Sequence, residues 1–270
     1  MEKISMKVVL KFSGKNIDPN KNAFLKPVVE LWQKGTKLVL IHGGGPQISN
    51  FMEKLGKKPS FVQGLRVTDQ EDLDLTEMIL SGLLNKTLVG MLSQYGIDAC
   101  GISGRDASLF VAKKLTINHQ GQLIDIGRVG DIIQVNPRLV EILWESKILP
   151  VVSPISSDGQ GKGLNVNADW AASQLAIHLQ AEKLLLFTDV PGVLSDPSNP
   201  DSLIQILPVN NIALLIQKGI VTGGMIPKLQ MIQTVLQSGV EEVFITNGAS
   251  LEFLDQWFEG KIIPGTRVIR

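Results

Sequence analysis

The chain has 270 residues, 44% of them hydrophobic, with 26 basic and 26 acidic side chains. That length buries a sizeable core, as one large α/β domain or two joined lobes, while a formal charge near zero gives no general electrostatic case for nucleic acid or an anionic membrane. One cysteine, Cys100, excludes an internal disulfide framework and a cysteine zinc cluster; it reads as a small buried hydrophobe in a reduced, cytoplasmic setting.

No apolar run approaches the roughly 18 residues of a membrane span, and the opening "MEKISMKVVLKF" has neither a long apolar segment nor a cleavage site. Taken in chain order, short apolar runs predict strands over 7–12, 37–42, 98–102, 148–153, 183–188 and 242–246. Patterns with apolar residues every three or four positions predict helices over 22–34, 46–56, 70–95, 137–146, 167–180, 209–218, 225–238 and 250–259. This alternation predicts an α/β fold, a three-layer αβα sandwich around a mainly parallel central sheet. Between 108 and 135 the helical period fails, and β-rich pieces around His119-Gln120-Gly121-Gln122 predict an antiparallel insertion, either a lid or a sheet extension. The small, polar stretch "SSDGQGKG", Ser156 to Gly163, predicts a loop between an N-terminal lobe, 1–160, and a C-terminal lobe, 161–270.

Two segments end apolar strands in glycine. "VVLKFSGKN" puts Lys11 at a strand end before Gly14, and "LVLIHGGGPQIS" runs into Gly43, Gly44 and Gly45, with Pro46 suited to a first helical turn. Ligands collect beyond the carboxyl ends of parallel strands, where helix N-termini present free N–H groups, so both segments suit an oxyanion. Tight turns without a ligand, and a merely solvated Lys11, are the alternatives. Neither the phosphate loop ending in Gly-Lys-Ser/Thr nor the dinucleotide pattern with its later glycine fits "GGGPQISN". In "TGGMIPKLQ", Lys228 falls in the first turn of a helix, where a cation is unfavourable unless an anion joins it. In "GLNVNADWAASQLA", Asn165, Asn167 and Asp169 alternate along a helix entry; Asn167 could simply cap that helix. The histidines His42, His119 and His178 do not group with Cys100, so no metal site is expected, and His42 orders the glycine loop.

The ordered set "KFSG", "HGGGPQI", "GLRVTD", "NK" at 85–86, "GISGRD", "GRVGDI", "NVNAD", "AEKLLLFTDVPGVL" and "TGGMIPK" resembles the amino acid kinase superfamily and, within it, the acetylglutamate kinase family. The resemblance runs nearly end to end. It implies a carbamate kinase-like fold and transfer of the γ-phosphoryl group of ATP, with Mg²⁺, to the side-chain carboxylate of N-acetyl-L-glutamate in arginine or ornithine synthesis. By motif, it implies that Lys11 and Lys228 stabilise the transition state and that Asp169 organises them. Gly14, Gly44 and Gly45 would donate backbone N–H groups, the last two beside the substrate. Arg66 would clamp the substrate α-carboxylate with Asn165 as its amide partner, a grip for which a guanidinium suits better than an ammonium; a surface pair between Arg66 and Asp69 is the alternative. The nucleotide loop would be Asp189, Val190, Pro191, Gly192, Val193 and Leu194, with Ile220, Val221 and Thr222 also touching nucleotide, although Pro191 and Gly192 suit an ordinary turn as well.

Acyl substrate and dimer contacts would then belong to the N-terminal lobe and ATP to the C-terminal lobe. Mg²⁺ would be held by phosphates and water, because no carboxylate cage is evident. Ser13 stands where many members carry a glycine; other kinases of the superfamily, notably those acting on uridylate, carry serine there. A related kinase of an aminoadipate-type acceptor is the nearest alternative, against which Val67 stands where those relatives tend to carry tyrosine; a non-catalytic ligand sensor is another. Arginine-inhibited members of the resembled family carry an additional N-terminal helix that links dimers into hexamers; with six residues before the first predicted strand here, the resemblance implies a homodimer without arginine feedback. Nothing indicates a PII-type regulator.

Overall fold

A computed structural model describes residues 5–20, 22–119, 122–247, 254–259, 261 and 263–270. In chain order the elements begin with β1 (Lys7–Phe12), α1 (Lys26–Gln33), β2 (Lys37–His42), α2 (Gly45–Lys54) and the two short strands β3 (Phe61–Val62) and β4 (Leu65–Arg66). Then α3 (Gln70–Glu77) runs through a π-helical segment (Met78–Leu84) into α4 (Asn85–Ser93), followed by β5 (Ala99–Ser103), β6 (Phe110–His119), β7 (Gln122–Val135) and α5 (Arg138–Glu145). Next come β8 (Leu149–Ser153), β9 (Ile155–Ser157), β10 (Gly163–Asn165), α6 (Ala168–His178) and β11 (Lys183–Phe187). The last elements are β12 (Ile206–Pro208), α7 (Ile212–Gln217), α8 (Met225–Gln237), β13 (Glu242–Thr246), α9 (Leu254–Phe258) and β14 (Thr266–Ile269). All six predicted strands are present with ends moved by at most a residue. Of the helix predicted over 250–259, residues 250–253 lie outside the described residues, as do Gln120 and Gly121 of the predicted insertion turn.

Two compact units result, each discontinuous in sequence. The first holds Met1–Ser13, Asn20–Val39 and Ala172–Arg270. Its strands run in the order β12-β14-β13-β11-β1. β1, β11 and β13 are parallel, with Lys11 opposite Leu186 and Lys183 opposite Glu242, whereas β14 is antiparallel to β13 and was not predicted. Continuous apolar runs account for this sheet, because strands covered on both faces need no polar alternation: Val8–Leu10, Leu184–Phe187 and Val243–Ile245 are fully buried. Phe12 stacks on Phe187 with ring centroids 5.1 Å apart.

The second unit holds Gly14–Pro19 and Leu40–Ala171. β2, β8 and β5 run parallel, with Leu40 opposite Val151 and Ala99 opposite Leu149. Cys100 is half-buried rather than buried, because β5 is an edge strand. The predicted insertion is the antiparallel pair β6 and β7, but β9 and β10 close it into a small barrel. Ile117, Ile126 and Val129 fill a cluster there with Val62, Leu65 and Val67 against them.

The boundary expected near 160 differs from this division. β1 joins the C-terminal strands through its register with β11, and Ser156–Gly163 lies within the second unit as the end of β9, the turn 158–162 and the start of β10. That turn is tied internally, since Asp158 Oδ1 accepts from Gln160 N at 2.8 Å and Lys162 N at 2.9 Å.

Candidate active site

In the first unit the carboxyl ends of β1 and β11 carry the first pieces. Lys11 Nζ donates to the carbonyl of Phe187, the last residue of β11, at 3.2 Å, which holds the ammonium at the strand ends. The chain leaving β11 turns at once: Thr188 Oγ1 accepts from Val190 N at 3.2 Å and donates to Val190 O at 2.9 Å. Asp189, Val190 and Pro191 are exposed, whereas Gly192 and Val193 are buried and anchored, with Val193 N donating to Thr266 Oγ1 at 2.8 Å. Gly192 has φ +155, and a Cβ there would lie 2.5 Å from Thr266 Oγ1, so this glycine is required by both torsion and space. Leu194, half-buried, bridges to Leu203. The ordinary-turn reading of Pro191-Gly192 therefore holds locally, and it leaves the residues just before Gly192 exposed at a strand end.

Ile220, Val221 and Thr222 lead into α8; Val221 is buried and Thr222 exposed. Gly223 takes a left-handed φ of +55 and Gly224 precedes the helix, so Lys228 sits in the first turn of α8, as predicted.

The second unit supplies the glycine cradle. Gly14 packs so closely on the loop after β2 that a Cβ on it would lie 2.6 Å from Gly44 Cα and 3.1 Å from Gly43 O, and Gln47 Nε2 donates to Gly14 O at 2.7 Å. Two glycine backbones, 30 positions apart, thus touch. Gly44 has an extended φ of −175, and on its other side a Cβ would meet Leu84 at 2.4 Å and Leu80 at 2.6 Å, both from the π segment. Gly45 opens α2 with nothing within 4 Å of where its Cβ would be. Gly14→Ala is accordingly expected to lower turnover about 100-fold, because a shift near 1 Å at a reacting centre costs that much. Gly45→Ala should retain the wild-type melting temperature, and steady-state kinetics with thermal melts would check both.

His42, fully buried, orders this loop. Its Nδ1 faces the Gly43 carbonyl at 3.2 Å and its Nε2 faces Asn85 Nδ2 at 3.3 Å, so Nε2 accepts from the amide and Nδ1–H donates to Gly43. Burial pulls its pKa down to about 4, partly offset by the Gly43 bond, so the ring stays neutral.

Arg66 ends β4 and is only 8% exposed. Its Nη2 donates to Gly45 O at 3.0 Å and Ser49 Oγ at 2.8 Å, its Nη1 to Met52 Sδ at 3.2 Å, and its guanidinium lies 4.8 Å from the centre of the Phe61 ring. The surface pair with Asp69 does not form, because Asp69 caps α3, its Oδ1 accepting from Asp72 N at 2.8 Å. Burial lowers the Arg66 pKa and Asp72 raises it. Asn165 ends β10 opposite Val129 of β7, and its Nδ2 donates to Thr68 Oγ1 at 3.2 Å. Asn167 does cap α6, its Oδ1 accepting from Asp169 N at 2.9 Å and Trp170 N at 3.1 Å, which fixes Asp169 in the helix's first turn.

Within the second unit, then, Gly14 meets Gly44, and Arg66 bonds to the carbonyl of Gly45, the next residue. Two supporting residues went unassigned in the sequence, Gln47 and Thr68, although both lie inside the quoted motifs "HGGGPQI" and "GLRVTD". Among the described residues no three His, Cys, Asp or Glu side chains gather as a metal site. The cradle of close-packed glycines suits phosphate, and a phosphate-bound Mg²⁺ asks for no ligand cage.

The first unit carries a lysine at a strand end and another in a helix's first turn, and the second carries glycine loops opening a helix; the chain belongs to the amino acid kinase family, whose model matches residues 6–247. Within that family it belongs with the acetylglutamate kinases. It is 42% identical over 248 residues to the acetylglutamate kinase of Methanococcus vannielii, covering 90% of this chain and 84% of that protein. To the acetylglutamate kinase of Methanopyrus kandleri it is 46% identical over 209 residues, 77% of this chain and 85% of the other. The carbamate kinase of Giardia matches with a TM-score of 0.70 at 15% identity, over 99% of this chain and 100% of that one, and bears on the fold alone.

Proposed function

We propose that this chain transfers the γ-phosphoryl group of ATP, taken as its Mg²⁺ complex, to the side-chain carboxylate of N-acetyl-L-glutamate, giving N-acetyl-L-glutamyl 5-phosphate for arginine and ornithine synthesis. Arg66 is the observation that carries it. A guanidinium 8% exposed, bonded to the backbone of the glycine loop and with no carboxylate within ion-pair distance among the described residues, suits an incoming anion beside a phosphate cradle.

The acceptor carboxylate is ionised at neutral pH, so the reaction needs no general base, only alignment and neutralisation of charge. The backbone N–H groups of Gly14, Gly44 and Gly45 receive the moving phosphoryl oxygens. Lys11 and Lys228 oppose the negative charge of the in-line transition state, with Asp169 orienting both ammoniums. Arg66 and Asn165 hold the acyl substrate, and Asp189–Leu194 and Ile220–Thr222 hold the nucleotide. Mg²⁺ supplies further charge neutralisation on the phosphates. In this reading the acyl substrate belongs mainly to the N-terminal half and the nucleotide to the C-terminal half. A cytoplasmic homodimer formed through the N-terminal half completes it, supported by Met78 and Leu83, 63% and 49% exposed on the π segment.

The test is to incubate the purified protein with MgATP and trap the acyl phosphate with hydroxylamine, offering N-acetylglutamate, glutamate or aminoadipate. Hydroxamate from the acetylated substrate is expected. Signal with aminoadipate alone would transfer the reading to a lysine-type kinase, and bound ATP without any signal would make the chain a sensor. Arg66→Lys is expected to raise the KM for N-acetylglutamate about 30-fold, with kcat changed far less, because an ammonium loses the bidentate grip. An unaltered KM would remove Arg66 from the substrate.

A further inference from the structure

Strand β7 seats two neighbours side by side. Thr68 bridges to Gly127 and Asn165 pairs with Val129, so the segments carrying Arg66 and Asn165 are spaced by one strand. Both junctions depend on glycine. Gly127 has φ +78, and a Cβ there would lie 2.1 Å from Thr68 O; a Cβ on Gly130 would lie 2.9 Å from Leu164 Cβ. Backbone bonds then fix Thr68, whose N donates to Ile126 O at 3.1 Å and whose O accepts from Arg128 N at 2.6 Å, and its side chain is fully buried.

A threonine hydroxyl has one proton. Here it goes to Arg66 O at 2.9 Å, a carbonyl that can only accept. Toward Asn165 the same oxygen must therefore accept, which places Asn165 Nδ2 on Thr68 at 3.2 Å and turns Oδ1 away from it. Asn165 is half-buried, and its Oδ1 accepts no hydrogen bond from the described residues. An acceptor in that state suits an N–H donor.

We propose that Thr68 is a positioning residue that locks the Asn165 carboxamide in one orientation, presenting its oxygen to the acyl substrate so that the site reads the substrate's amide N–H. The proposal rests on Asn165 touching the acyl substrate, and it adds what sets that contact and which atom is read. Thr68→Val keeps the shape, removes the hydroxyl and frees the amide to flip.

The experiment compares N-acetylglutamate with its ester analogue, 2-acetoxyglutarate, in which oxygen replaces the N–H. Wild-type enzyme is expected to favour the amide about 30-fold in kcat/KM, since an acceptor enclosed by bound substrate and left without its donor costs on that order. In Thr68→Val this preference falls to within about threefold, mainly through the KM for the amide substrate, with the KM for ATP unchanged; Thr68→Ser restores the preference. Thr68→Ala, which adds no volume, repeats the measurement should the valine variant melt at assay temperature. Retention of the wild-type preference in the hydroxyl-less variants, or equal losses for both acyl substrates and ATP, overturns the role of Thr68 alone. Absence of wild-type turnover on N-acetylglutamate overturns the functional reading and this inference with it.

Discussion

Lys228→Ala is expected to lower kcat about 1,000-fold while the affinity for MgATP stays within about threefold, because its charge acts on the group in flight rather than on the bound nucleotide. A first-turn position lies at the positive end of the α8 dipole, where a cation costs several tenths of a kcal/mol unless an anion shares the site. The two glycines ahead of α8 add free N–H groups at the same end. Such a concentration of positive potential does little for a neutral ligand and much for a phosphoryl group spreading charge over its equatorial oxygens.

Lys11, proposed for the same charge neutralisation, is held in a different way. Its Nζ is steadied by Phe187 O at 3.2 Å, so its position is set by β1 and β11 rather than by a helix. Single-turnover trapping of hydroxamate, alongside calorimetric titration of MgATP, separates the two contributions. Turnover of Lys228→Ala within tenfold of wild type would remove this lysine from the mechanism.

The parallel strands were legible because burial on both faces leaves an unbroken apolar run, as in "KVVLKF" and "KLLLF". Glycine loops at their ends were legible for the same reason that makes them useful: Gly14 and Gly44 lack the Cβ that would separate their backbones. The barrel was only half legible. β6 and β7 announce themselves by length, whereas β9 and β10 are three-residue strands whose pairing depends on Gly130 admitting Leu164, a contact no local pattern encodes. The π segment was hidden too, since a helical period alone does not reveal a widened turn, nor that Leu80 and Leu84 from it close on Gly44. Thr68 shows the limit for sites: a threonine beside Arg66 gains meaning only when a strand about sixty positions later brings Gly127 against it and Asn165 follows.

Glu242→Ala is expected to destabilise the protein by about 3–5 kcal/mol without touching the site, the usual cost of breaking a buried charge network by one partner. Glu242 opens β13, buried, opposite Lys183 of β11. Its Oε1 accepts from Arg267 Nε at 2.9 Å and from Trp257 Nε1, and its Oε2 accepts from Arg267 Nη2 at 2.9 Å and Lys183 Nζ at 3.3 Å. Lys183 also lies 4.8 Å from the centre of the Trp257 ring. Removing the carboxylate takes this shared acceptor away from two partly buried cations and an indole N–H. Burial alone would raise the Glu242 pKa, yet the bonds from Arg267 and Trp257 and the charges of Lys183 and Arg267 outweigh it and hold the carboxyl below its ordinary value. The folded pKa is depressed, so the stabilisation is present above the unfolded carboxyl value near about 4.3 and is lost as pH falls through the folded one. Thermal melts from neutral to about pH 3 should therefore show a steep acid loss in the wild type and a shallower one in Glu242→Ala, which starts lower. Parallel acid limbs in the two proteins would mean that other carboxylates control acid unfolding, and a melting temperature within a degree or so of wild type would mean the network stabilises nothing.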